Sequence, residues 1–135
     1  MADARTIAVV CATEASLWEE LRRRAEQIGK TEAALLPMLK RYVLDRKSFG
    51  DGIVHRLAER IAPTGNDVEA LKLALAEAVQ IDSEVLAQMR FDIRATLERD
   101  PATEHALVPF LWFKGFHAIS LHRLANVLWK AGRKD

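Results

Sequence analysis

The sequence is short of everything that would cross-link, interrupt or anchor a chain. Its single cysteine, Cys11, rules out a disulfide within the chain and fits a reducing compartment. Four prolines and six glycines are all that punctuate 135 residues. Neither sign of charge dominates: 20 Lys and Arg face 19 Asp and Glu, a net charge of +1, which excludes the strong basic excess of a nucleic-acid binder. The one compact basic run, Arg22-Arg23-Arg24, stands beside Glu19, Glu20 and Glu26 and reads as a solvated helix face. No apolar run approaches the ~18 residues that span a bilayer. The run from Ile7 to Ala12 is too short for a signal sequence and is bracketed by Asp3 and Glu14. The expectation is a cytoplasmic protein with neither nucleic acid nor membrane as partner.

Chemical signatures are equally sparse. His55, His105, His117 and His122 form no metal-ligand spacing, and no Cys or carboxylate cluster accompanies them, so no metal is expected. They read as exposed or interfacial, with His117 singled out because it lies among aromatics. Gly50 and Gly52 lack the pattern of a phosphate loop, and no nucleophile elbow occurs. Cys11 reads as inert.

What remains is helix. Half the residues are hydrophobic and 29% are charged, the balance of a folded domain. Ala, Leu, Glu and Arg dominate, and no stretch alternates with period two for long enough to make a strand. The predicted fold is all-α: a bundle of about six to eight short helices over 13–135, after a flexible segment at 1–12. Thr13 caps a helix carrying Leu17, Trp18, Leu21 and Ile28 and ending at Gly29; Thr31 is the next cap, ahead of Leu35, Leu39 and Val43. Ser48 to Gly52 reads as a break. Ile53, Leu57 and Ile61 mark a helix stopped by Pro63, and Gly65 or Asn66 starts another through Leu71, Leu75 and Val79. Asp82 or Ser83 caps the next, with Leu86, Met89, Ile93 and Leu97 inside. It must end near Asp100, because Pro101 disfavours helical geometry in the residue before it. A helical turn near Ala106–Trp112 and a last helix from about Lys114 to Ala131 follow.

Two features exceed this background. The first is Asp100-Pro101, which from spacing alone reads as a helix N-cap whose second oxygen could meet a ligand. The second is an aromatic stripe, Phe110, Trp112, Phe113, Phe116 and Trp129, in a chain with only three Trp, one Tyr and five Phe. It reads as packing, with part of it turned toward another domain or subunit. So apolar a segment, six residues from Asp135, suggests that more chain normally follows.

The run Arg99-Asp100-Pro101-Ala102, then Pro109-Phe110-Leu111, Phe113-Lys114-Gly115-Phe116-His117-Ala118, Arg123, Leu128-Trp129 and Gly132-Arg133, resembles the N-terminal helical domain of bacterial serine O-acetyltransferase. The opening Leu17-Trp18-Glu19-Glu20-Leu21-Arg22 is similar to the start of that domain. The resemblance implies an enzyme of cysteine biosynthesis that converts acetyl-CoA and L-serine to O-acetylserine and CoA. It implies a homo-oligomer, a trimer or dimer of trimers, held by the helical domains. It places the catalytic histidine and the acetyl-CoA site on a left-handed β-helix of hexapeptide repeats, absent from this sequence. No catalytic or cofactor-binding residue is therefore expected here, and the chain alone is expected to be inactive. Asp100 matches an aspartate that contacts the serine substrate. Lys114, Gly115 and Phe116 would serve packing, with Gly115 allowing a turn or close approach. A cysteine synthase partner would bind through a C-terminal tail that this chain lacks. The alternative is a non-catalytic helical module for self-association or protein interaction.

Overall fold

The computed structural model describes residues 3–62 and 67–134. Among them are eight α-helices and no strand, in the expected class. They are α1 (Ala4–Val10), α2 (Glu14–Thr31), α3 (Leu36–Leu39), α4 (Phe49–Ile61), α5 (Val68–Ile81), α6 (Glu84–Arg99), α7 (Leu107–Trp112) and α8 (Lys114–Lys130). A 3₁₀ turn, Ala33–Leu35, precedes α3 and a π-helical turn, Lys40–Leu44, follows it.

Helix α2 lies at the centre and touches α1, α3, α4, α6 and α7. Its start is fixed locally: Thr13 Oγ1 accepts from Ser16 N at 3.0 Å and Ser16 Oγ accepts from Thr13 N at 3.0 Å, a reciprocal cap that satisfies two orphan amides. Leu17, Leu21 and Ala25 then recur every fourth residue and are fully buried. Helix α4 pairs with α5, α5 packs on α8, and α8 returns to α6. The core between them holds Phe49, Ile53, Leu57, Met89, Ile93, Leu107, Phe110, Leu111 and Leu124, none measurably exposed. Each such side chain contributes about 1.5–3 kcal/mol on leaving water.

Several boundaries differ from the sequence reading, for physical reasons. Gly29 does not end α2, which runs on to Thr31; a Cβ at Gly29 would come within 2.9 Å of Leu36 Cδ1, so this glycine admits α3 to the helix surface. Thr31 is accordingly not the next cap. Ser48 to Gly52 is no break: Ser48 Oγ accepts from Asp51 N at 3.1 Å and starts α4, with both glycines inside it. At Gly52 a Cβ would stand 2.6 Å from the Tyr42 carbonyl oxygen, so the glycine buys the close approach of α4 to the π turn. The start expected at Gly65 or Asn66 lies outside the described residues.

The segment expected to be flexible contains α1. Asp3 Oδ1 accepts from Thr6 N at 2.8 Å and caps it, Ile7 and Cys11 are buried, and Arg90 on α6 donates to the carbonyls of Cys11 and Ala12 at 2.7 and 2.9 Å. Burial pushes the Cys11 thiol pKa up, away from the reactive thiolate. The basic run is only partly a solvated face. Arg23 and Arg24 pair with Glu20, whereas Arg22 turns inward and donates to the carbonyls of Val43 and Leu44 at the end of the π turn.

Candidate functional site

Asp100 is not a helix N-cap. It is the C-cap of α6, with φ −108° and ψ 100°, the extended geometry that Pro101 imposes on its predecessor. Its carboxylate folds over the loop that follows. Oδ1 accepts from Ala102 N at 3.0 Å and Oδ2 accepts from the Thr103 hydroxyl at 2.6 Å. Those bonds, the Thr103 hydroxyl foremost, hold the Asp100 pKa below the usual carboxylate range. Each oxygen keeps a second lone pair for an outside donor.

Asp100 borders an open groove of about 730 Å³ between the end of α6 and the α7–α8 junction. Asp92, Thr96 and Arg99 line one wall, and Trp112, Lys114 and Ile119 the other. Asp92 is committed to Arg123 on α8 in a paired contact at 3.2 Å, which ties the wall to α8. Asp100 is thus the groove's carboxylate without a cationic partner among the ion pairs of the described residues.

The opposite wall depends on how α7 stops. A helix of six residues leaves its last carbonyls unpaired. Two long-range side chains take them. His117 Nε2, on α8, donates to the Phe110 carbonyl at 2.8 Å, and Arg56 Nε, on α4, donates to the Leu111 carbonyl at 2.7 Å. Arg56 also lies over the Tyr42 ring at 5.1 Å. His117 was expected to be exposed or interfacial; it is 1% exposed and its Nδ1 has no partner. Burial first, with Arg56 and Arg60 adding repulsion, pushes its pKa down to about 4 against the pull of the Phe110 carbonyl. It is a neutral structural histidine.

The aromatic stripe divides. Phe110 is in the core, tilted against Trp18 and Phe49, and Phe116 is buried. Phe113 is half-buried, and Trp112 and Trp129 stay 38% and 55% exposed. Gly115 serves neither a turn nor a close approach: it lies inside α8, and a Cβ there would meet nothing within 4 Å. The other histidines are scattered. His55 accepts no role beyond contacts to Asp51 and Arg46, His105 is half-buried with its pKa lowered by burial, and His122 lines a separate groove of about 540 Å³ beside α8. Among the described residues no three His, Cys, Asp or Glu side chains gather as a metal site, and no helix is long and apolar enough to cross a membrane.

Sequence reasoning singled out Asp100, though as an N-cap, and missed Thr103, Arg56 and the task of His117. Asp-Pro-Ala-Thr does spell a side-chain-closed turn, since Asp favours accepting amides just ahead of it. Arg56 and His117 carried no local signal, because their partners lie 55 and 7 residues away on other helices.

Comparison with known proteins shows the family of the chain. The sequence profile described as "Serine acetyltransferase, N-terminal" matches residues 17–120. The serine acetyltransferase of Haemophilus influenzae is 30% identical over 119 residues, 88% of this chain and 45% of that protein. Among solved structures, Neisseria gonorrhoeae serine acetyltransferase in complex with serine has a TM-score of 0.83 at 33% identity, covering 87% of this chain and 49% of that one. Brucella abortus serine acetyltransferase in complex with coenzyme A has a TM-score of 0.81 at 35% identity, covering 87% and 47%. The chain therefore spans about half the length of the relatives it matches.

Proposed function

Because the chain belongs to the serine acetyltransferase N-terminal family, we propose that it is the helical part of an enzyme that moves the acetyl group of acetyl-CoA to L-serine. In that reaction the serine hydroxyl oxygen bonds to the acyl carbon, the thioester C–S bond breaks, and CoA leaves with the proton lost by the hydroxyl. This chain supplies no base for that proton and no thioester site. It acts in two other ways: Asp100 contacts the serine, and the helical unit, 13–135 with α1 docked on it, carries assembly into a homo-oligomer.

The observation that carries the reading is the Asp100 carboxylate, ionised and held from both oxygens, in a residue that lines an open groove. That is the geometry for an ammonium or hydroxyl donor. The neighbour solved with serine supports a serine site in a protein of this fold, and the one solved with coenzyme A supports acetyl-CoA as co-substrate. Support for assembly comes from Trp112 and Trp129, large side chains left at the surface. The same two residues favour the second reading, a non-catalytic self-association module.

Thiol release from acetyl-CoA with L-serine tests both. The chain alone gives none; turnover above a blank overturns its inactivity. Fused ahead of the C-terminal half of the Neisseria gonorrhoeae relative, it releases CoA, and Asp100→Ala raises the serine KM about tenfold or more, the loss of one charge-assisted bond. An unchanged KM would reduce Asp100 to a turn former. A folded, oligomeric fusion without turnover would favour the module.

A further inference from the structure

We infer that Thr103 is a positioning residue of the serine site: its buried hydroxyl donates to Asp100 Oδ2 and sets the plane of the carboxylate at the groove. The inference rests on the reading of Asp100 as a substrate contact and adds a second residue to it.

Four polar residues are buried among those described: Arg56, Thr103, His117 and Ser120. Thr103 is 5% exposed, and it is the one of the four whose side chain bonds the Asp100 carboxylate. Its hydroxyl contact, 2.6 Å, has the length of a charge-assisted bond. Thr103 is itself anchored, since its amide donates to the Asp100 carbonyl at 3.1 Å and its β-branched side chain has few rotamers. One bond to one oxygen would leave the carboxylate free to rotate. The Ala102 amide on Oδ1 and the Thr103 hydroxyl on Oδ2 together fix it, and each oxygen keeps acceptor capacity for a further donor. A substrate ammonium then meets an acceptor that need not be ordered on binding.

Thr103→Val tests this, because it keeps the shape and the backbone bond and removes only the hydroxyl; Thr103→Ser restores it. The first measurement is a carboxyl-carbon NMR titration of Asp100 in this chain. The other charged groups bordering the groove, Asp92, Arg99 and Lys114, are the same in every variant. The Asp100 midpoint is expected to move up toward the ordinary aspartate range in Thr103→Val and to stay low in Thr103→Ser. A midpoint that does not move in Thr103→Val overturns the inference. The second measurement is serine kinetics in the fusion described above. Thr103→Val raises the serine KM about fivefold, the worth of one hydrogen bond, with kcat within about twofold, and Thr103→Ser recovers the KM. Asp100→Asn separates the two claims. If it raises the KM while Thr103→Val does not, the inference fails and the Asp100 reading stands. If Asp100→Asn leaves the KM alone, the Asp100 reading fails, and the titration still decides whether Thr103 governs the carboxylate.

Discussion

Acidification should destabilise this protein through His117 before it touches the carboxylates. Nε2–H is spent on the Phe110 carbonyl, so a second proton must go to Nδ1, which is buried, without an acceptor, and under the field of Arg56 and Arg60. The folded pKa is therefore about 4 against an ordinary 6.5. A lowered pKa means the unfolded chain takes the proton first, so the stabilisation is complete above pH 6.5 and is lost as pH falls toward 4. Linkage puts the loss at about 2 kcal/mol by about pH 5, rising to about 3 kcal/mol below pH 4, with almost nothing lost at about pH 7.5. Urea unfolding followed by far-UV circular dichroism at about pH 7.5 and pH 5 measures it. His117→Gln is the control, since its amide can donate to the same carbonyl and does not titrate. His105, whose pKa is also lowered, titrates in both proteins and cancels from the difference. Asp3 and Asp100 have pKa values below the ordinary 3.8 and keep their charge in this window. The wild type should lose about 2 kcal/mol more than His117→Gln between the two pH values. Parallel losses in the two proteins would refute the argument.

Other substitutions probe the packing. Gly52→Ala and Gly115→Ala are the same change in two helices with opposite expected signs. The first drives a methyl to 2.6 Å from the Tyr42 carbonyl and should lower the melting temperature by about 5–10 °C, a cost of about 2 kcal/mol. The second enters open space and should be neutral or stabilising by up to about 1 kcal/mol; equal melting temperatures in the pair would sink the glycine argument. Arg56→Met removes the donor of the Leu111 carbonyl while keeping most of the side-chain volume, and should cost about 2 kcal/mol in denaturant unfolding. A variant as stable as the wild type would show that carbonyl to be satisfied otherwise.

The helices were legible because their apolar residues recur at spacings of three and four, a pattern that survives without knowledge of neighbours. Leu17, Leu21 and Ala25, or Met89, Ile93 and Leu97, are buried as that spacing requires. The glycines were misread for the opposite reason. Gly29 and Gly52 look like breakers in one dimension, and only the nearness of Leu36 and the Tyr42 carbonyl shows them to be contact surfaces. The first helix was hidden by its brevity, since seven residues form a stable helix only when docked, here by Ile7, Cys11 and the Arg90 bonds. Asp100 stood out because the Asp-Pro motif is local, but its cap was assigned to the wrong helix end: it closes α6. The capping of α7 was invisible because it is made by side chains from two other helices.

Cys11 has a practical consequence. It is the chain's sole thiol, 1% exposed, at the point where α1 is tied to α6. A thiol reagent can reach it only through molecules in which α1 has lifted. The labelling rate divided by the rate of a free thiol is then the equilibrium constant for that opening. The protein thus carries a built-in clock for the detachment of its first helix, readable by absorbance without any engineered probe.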